Sequence, residues 1–212
     1  MLPEEFLSAA EHSGLIRTFG AWMVRSSLRQ AQDWLNGSVC SRITMAVNVS
    51  QRELTDPRLV DTIAAALNDV AASSDTLSVC LEVTETSLAE CPAALLRTLE
   101  ALKELGVRLA IDDFGTRYAS LDNLRRIPVD VLKIDRSFVA GLGSNRGGTT
   151  IIEAVVDMGA ALGLTVVAEG VETQEQLDSL RALGCDLAQG HHFSPPLAAA
   201  EVRRLMARDP RW

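Results

Sequence analysis

Apolar positions along the chain fall into two alternating kinds of stretch. Short β-branched runs, "RITMAVNV" (42–49), "LSVCLEV" (77–83), "VRLAI" (107–111), "VDVLKI" (129–134), "LTVVA" (164–168) and the weaker "CDLAQG" (185–190), read as six strands. Between them lie amphipathic stretches with helix punctuation. "DPRLVDTIAAAL" predicts a helix with Asp56 as N-cap and Pro57 at its first position, and "CPAALLRTLEALKELG" one that ends at Gly106. "TTIIEAVVDMGAALG" stops at Gly163, while "TQEQLDSLRALG" opens on a capping-box spacing, Thr173 to Gln176, and stops at Gly184. Residues 1–38 read as helical, and "LAAAEVRRLMARDP" reads as a closing helix.

Strands so continuously apolar are covered on both faces, and intervening helices make them parallel, because parallel neighbours need a crossover. An α/β sheet follows, and the polar residues favour a barrel over an open sheet. Asn48, Glu82, the pair Asp112–Asp113, Lys133 with Asp135, Glu169 and Gln189 each stand at or near the C-terminal end of a different strand run. In a barrel every strand contributes to one mouth, whereas in an open sheet only those beside the switch point do.

Composition narrows the partners. A net charge of −8 over 212 residues argues against a binder of nucleic-acid polymers, so an anionic ligand must be met by local cations or metals. Cys40, Cys80, Cys91 and Cys185 show no CxxC spacing and read as buried free thiols of a reducing compartment. No run is long and apolar enough for a membrane span and the first residues lack a signal-peptide plan, so the expectation is a cytoplasmic chain with no membrane segment.

The strand-end residues offer hard oxygen ligands with no Cys or His among them, which suits Mg²⁺ or Mn²⁺ rather than zinc. Adjacent aspartates are then reasonable, since two cations offset their repulsion while polarising a phosphodiester. Glu169, followed by a glycine, is the candidate general base, and Lys133 the residue that neutralises phosphate or orients water. A Schiff-base role for Lys133 is disfavoured by the surrounding carboxylates, which keep it protonated. His191–His192 is a neighbour pair with no third ligand at metal spacing, "GSNRGGTT" (143–150) reads as a loop and helix start, and Arg125–Arg126 as a solvated face.

Five stretches in order, "VNVS", "LEVTET", "AIDDFGTRYASLDNLRRIPVDVLKIDRSFV", "VVAEGVET" and "GCDLAQGHHFSPPL", resemble the successive motifs of EAL domains, bacterial phosphodiesterases that open cyclic di-GMP to linear pGpG. The resemblance implies a TIM-like (β/α) barrel and Mg²⁺ or Mn²⁺, two ions where the site is complete. On it, Asn48, Glu82 and Asp112 would be metal ligands, Asp113 a ligand or bridge to the second ion, and Asp135 its support. Lys133 would contact the attacking water and phosphate, Glu169 would be the general base, and Gln189 would help hold the site. Glu85 would steady the loop after "DDFG", and Glu172 would be a supporting acid near the mouth.

Two departures qualify what the resemblance implies. The glutamate of the family's Glu-Ala-Leu stretch belongs on a strand upstream of "LPEEFLSAAEHSGLI", where this chain begins. Residues 1–212 are therefore expected to form one EAL-type domain lacking its first two strands, with about six of eight present. Hydrolysis is then expected to be weak or absent unless that carboxylate is supplied; the alternative is an inactive domain that binds cyclic di-GMP or a protein. Open strand edges suit a homodimer or a partner domain. Arg117 stands where the family has glycine, and His191 where it has an aromatic residue, so both alter the mouth.

Overall fold

The computed structural model describes residue 10 and residues 13–37, 40–70, 76–88, 91–116, 121–142 and 146–208. Packing divides the chain into two compact units, Met1–Val83 with Cys91–Arg108, and Thr84–Glu90 with Leu109–Trp212.

The first unit pairs strand β1 (Ile43–Asn48) with β2 (Leu77–Thr84) in parallel, residue for residue from Ile43 opposite Leu77 to Asn48 opposite Glu82. Helix α1 (Ile16–Asn36) buries Ile16, Gly20, Val24, Leu28 and Ala31, a stripe at three- and four-residue spacing. Gly20 is required there, because a Cβ would fall 1.5 Å from Oε1 of Glu53. Glu53 ends a capping box over the short helix α2 (Gln51–Leu54), its carboxylate accepting from the Ser50 N–H at 2.9 Å. Helix α3 (Leu59–Asn68) and helix α5 (Ala93–Glu104) close the core with Ile63, Leu99 and Leu102; helix α4 belongs to the second unit.

Asp56 is not the N-cap of α3, which begins three residues after it, with Arg58 in the cap position and no side-chain cap bond. Its buried carboxylate is taken instead by arginines: Arg58 donates from its backbone N–H and guanidinium, and Arg17 approaches to 3.3 Å. Charge-assisted bonds outcompete a neutral amide for one carboxylate. β1 also departs from the expectation of strands covered on both faces, since Thr44, Ala46 and Asn48 are exposed.

In the second unit helix α4 (Glu85–Leu88) comes first, and strands β3 (Arg108–Phe114), β4 (Val131–Ile134), β5 (Thr165–Ala168) and β6 (Leu187–Ala188) pair in parallel in chain order. Crossovers run through helices α6 (Leu121–Arg126), α7 (Arg136–Ala140), α8 (Arg146–Leu162) and α9 (Gln174–Ala182), and α10 (Ala199–Met206) closes the chain. Fully buried Leu109, Leu132, Ile134, Ile152 and Leu180 form its core. The strand ends are tied by carboxylates: Asp130 Oδ2 accepts from the Leu109 N–H and Asp186 Oδ2 from the Val166 N–H, each at 2.8 Å.

Gly106, Gly163 and Gly184 sit at positive φ just past their helices, as the punctuation predicts. The expected strand at 107–111 runs on through both aspartates, and the one at 185–190 shortens to two residues. Arg117, the loop 143–145 and most of the segment before α1 lie outside the described residues. Among the described residues no helix is long and apolar enough to cross a membrane, and none of the four cysteines is in a disulfide; Cys80 is buried, and the expected burial fails for the other three, which are half-buried.

Candidate functional site

The geometry of the second unit's site starts from one irregularity in β3. Ile111 pairs with Leu132 and Phe114 with Ile134, so Asp112 and Asp113 together oppose the single residue Lys133. This is a β-bulge, and Asp113 takes φ +55 within it, an αL conformation that aspartate tolerates better than most residues. In a regular strand neighbouring side chains would point to opposite faces. With the bulge, one oxygen from each of Asp112, Asp113 and Glu169 lies within 4.8 Å of the others.

Lys133 lies at the centre of this group. Its side chain is 6% exposed, and Nζ donates to Asp112 Oδ1 at 2.8 Å and reaches Glu169 Oε1 at 2.6 Å. Pairing explains the reach: Lys133 is opposite Val167, and Glu169 lies two residues further along β5's path, on the same face. Asp135 and Gln189 occupy the corresponding places after Ile134 and Ala188, so Asp135, Glu169 and Gln189 emerge at one level from three neighbouring strands.

Electrostatics at the bulge are asymmetric. Burial, then the charges of Asp112 and Asp135 and a hydrogen bond shared with Asp135, raise Asp113 above the ordinary carboxylate range, with Lys133 opposing. Burial also pushes Asp135 upward, but bonds from the Ser137 hydroxyl and N–H, and from Asp113, outweigh it and leave Asp135 lowered. Asp135 is at the same time the N-cap of α7.

Glu85, only 4% exposed, accepts from the Gly115 N–H at 3.0 Å, so it holds the backbone just after the bulge. Gly115 has φ +94 and lies against the Phe138 ring, where a Cβ would come within 3.1 Å. Glu172 is exposed, and with Glu169, Arg136, Gln189, His191 and Ser194 it lines a cleft of about 480 Å³ floored by Gly170 and Gly190. Gly190 can carry no side chain, since a Cβ would meet Val171 backbone atoms at 2.1 and 2.3 Å.

Asn48 and Glu82 belong to the first unit, where they stand opposite one another at the ends of β1 and β2, Asn48 exposed and Glu82 at 9% exposure. The backbone joins them, as the Val49 N–H donates to the Glu82 carbonyl at 2.9 Å. Arg136 and the Ser194–Pro195–Pro196 segment enter the cleft although sequence reasoning did not select them. The signal available for Arg136 was its place directly after Asp135 at a strand end.

Parallel strands delivering acids and one lysine at their C-terminal ends make this an α/β protein of the (β/α)-barrel type, and the acidic cluster is a possible metal-binding site. The chain belongs to the EAL domain family, whose pattern matches residues 1–196. It is 40% identical over 204 residues to the cyclic di-GMP phosphodiesterase NbdA of Pseudomonas aeruginosa, covering 96% of this chain and 26% of that protein. The bifunctional diguanylate cyclase/cyclic di-GMP phosphodiesterase MucR of the same organism is 39% identical over 200 residues, covering 94% of this chain and 29% of MucR. The structure of the PaMucR phosphodiesterase in its c-di-GMP complex superposes with a TM-score of 0.88 at 38% identity, covering 95% of this chain and 81% of that one. The fold is therefore of the TIM-like EAL type, with six parallel strands among the described residues, and the chain spans about a quarter of the length of the curated relatives it matches.

Proposed function

We propose that this chain is a cyclic di-GMP phosphodiesterase domain that opens the cyclic dinucleotide to linear pGpG with Mg²⁺ or Mn²⁺. The observation that carries the reading is the cluster of Asp112, Asp113 and Glu169 around Lys133, in a chain whose relatives bear that activity in their names. The donor set fits a hard cation: three carboxylates with oxygens within 4.8 Å of one another and no sulfur or imidazole among them. Asp112 and Asp113 would hold the ions, and Asp135 would support the second. When bound, the ions supply an acidified water and charge neutralisation at the phosphodiester.

The chain's own residues do the rest. Glu169 takes a proton from the attacking water as the water oxygen bonds to phosphorus, and the P–O3′ bond breaks, its 3′-oxygen taking up a proton from solvent, to leave a 5′-phosphate and a 3′-hydroxyl. Lys133, pinned between Asp112 and Glu169, orients that water and neutralises a non-bridging phosphate oxygen. Glu85 fixes the backbone after the bulge through Gly115, and the cleft bearing Gln189, Glu172 and Arg136 receives the adjoining nucleotide.

A second reading has its own support. Lys133 already satisfies Asp112 and Glu169 at 2.8 and 2.6 Å, so both carboxylates are neutralised without an ion. On that reading the domain binds cyclic di-GMP without turning it over. Incubation with cyclic di-GMP and Mn²⁺, with and without chelator, alongside calorimetric titration, separates the two: chelator-sensitive pGpG marks the enzyme, and binding without product the sensor. Glu169→Ala is expected to abolish hydrolysis while retaining binding; unchanged turnover removes Glu169 as the base. We place the domain in the cytoplasm, as a homodimer or beside a partner domain, which sedimentation analysis tests.

A further inference from the structure

We infer that Gln176 is a positioning residue that clamps together the two loops flanking the reaction centre, an inference that rests on the phosphodiesterase reading above. The sequence marks Gln176 only as the closing member of a capping box, and the structure bears that out: Thr173 Oγ1 accepts from the Gln176 N–H at 3.3 Å. Its Oε1 accepts from the N–H groups of both Glu172 and Thr173, at 2.8 and 3.1 Å. These residues close the loop that leaves β5 at Glu169.

The other end of the same amide points elsewhere. Nε2 donates to the Val139 carbonyl at 3.4 Å, across 37 residues of sequence. Val139 is fully buried in α7, the helix capped by Asp135 two residues after Lys133. One half-buried amide thus spans from the Glu169–Thr173 loop to the Lys133–Ala140 segment, and Glu169 and Lys133 are the residues whose charged ends lie 2.6 Å apart. A cap needs only the acceptor oxygen. The donor nitrogen has no part in capping, and it is what couples the two loops.

That division of labour gives a clean test, because glutamate keeps the acceptor and loses the donor. Glutamate is as suited to a capping box as glutamine, so Gln176→Glu is expected to lower the thermal midpoint less than Gln176→Ala, which loses cap and clamp together. With Mn²⁺ and cyclic di-GMP, Gln176→Glu is expected to lower kcat about tenfold or more with KM little changed, since small misplacements of reacting groups carry large rate penalties. Amide hydrogen exchange read by mass spectrometry supplies the measurement independent of turnover. Exchange is expected to quicken in Gln176→Glu in both the 136–142 and 169–173 segments.

Wild-type exchange in both segments together with wild-type kcat in Gln176→Glu would overturn the clamp and leave Gln176 a helix cap. Should the wild-type chain itself make no pGpG, the phosphodiesterase reading fails while the exchange result still decides the clamp. An exchange change confined to 169–173 also counts against it, since a cap alone would produce that.

Discussion

Replacing Lys133 by methionine removes the cation at the centre of the carboxylate cluster while keeping most of its length. Nζ lies 2.8 Å from Asp112 and 2.6 Å from Glu169, so at an effective dielectric of about 20 each contact carries about 6 kcal/mol of gross attraction. The partners are 16% and 19% exposed, and much of that attraction offsets the desolvation of three ionised groups. Removing one member exposes the remainder: two largely buried carboxylates without their shared counter-ion, beside Asp113. We expect Lys133→Met to lose about 3–5 kcal/mol of stability at neutral pH in chelator, the usual result of orphaning a buried charge. The assay is urea unfolding followed by circular dichroism. Adding Mn²⁺ at about 100 times its Kd should return about 2.7 kcal/mol to any form that binds it, and the variant should respond at least as strongly as the wild type. Glu169→Gln in the same chain should recover part of the loss, with a coupling energy above about 1 kcal/mol. A Lys133→Met chain within about 1 kcal/mol of wild type in chelator, with additive double-variant behaviour, would refute the reasoning.

Three further outcomes follow from single contacts. Glu85→Ala should cost about 1.5–3 kcal/mol, because the Gly115 N–H loses a charged acceptor 3.0 Å away, and quicker amide exchange at Gly115 would report it. Gly190→Ala should cost about 1–3 kcal/mol in thermal or urea unfolding, since its Cβ would meet backbone atoms of Val171 at 2.1 and 2.3 Å that no rotamer change can move. Asp56 is held at about 2, against 3.8 ordinarily, first by the side-chain bond from Arg58. A depressed folded value means its contribution is present above about pH 4 and lost as pH falls through about 2, so Asp56→Asn should lower the thermal midpoint at pH 7 by clearly more than at pH 2. A difference that persists unchanged at pH 2 would count against the charged pairing.

Much of the site was legible because its residues stand at strand ends, and strand ends are what hydrophobic runs delimit well. Asp135, Glu169 and Gln189 were found that way, and pairing places them at one level. Lys133 was legible as a polar interruption of an apolar run, but its central position was not, since that depends on the strand to either side. The bulge escaped because periodicity assumes one residue per step and nothing in "IDDFG" announces a doubled one. Asp56 was misread for a reason of competition: an aspartate before a proline-led helix resembles a cap until distant Arg17 and adjacent Arg58 claim it. The weak run at 185–190 shrank to two paired residues because Gln189 and Gly190 turn to pack on Val171.

The doubled step in β3 also says how this domain could change. Ile111 and Phe114 face the same side as Leu132 and Ile134, so the hydrophobic layer keeps the phase it would have if one aspartate were absent. Deleting Asp113 would leave Asp112 opposite Lys133 in an unbroken ladder, with Phe114 still in its place. The second acid is thus a guest in the strand, accommodated without re-indexing the core. Loss of Asp113 would take one carboxylate from the cluster around Lys133 while the apolar layer of the sheet stayed in phase.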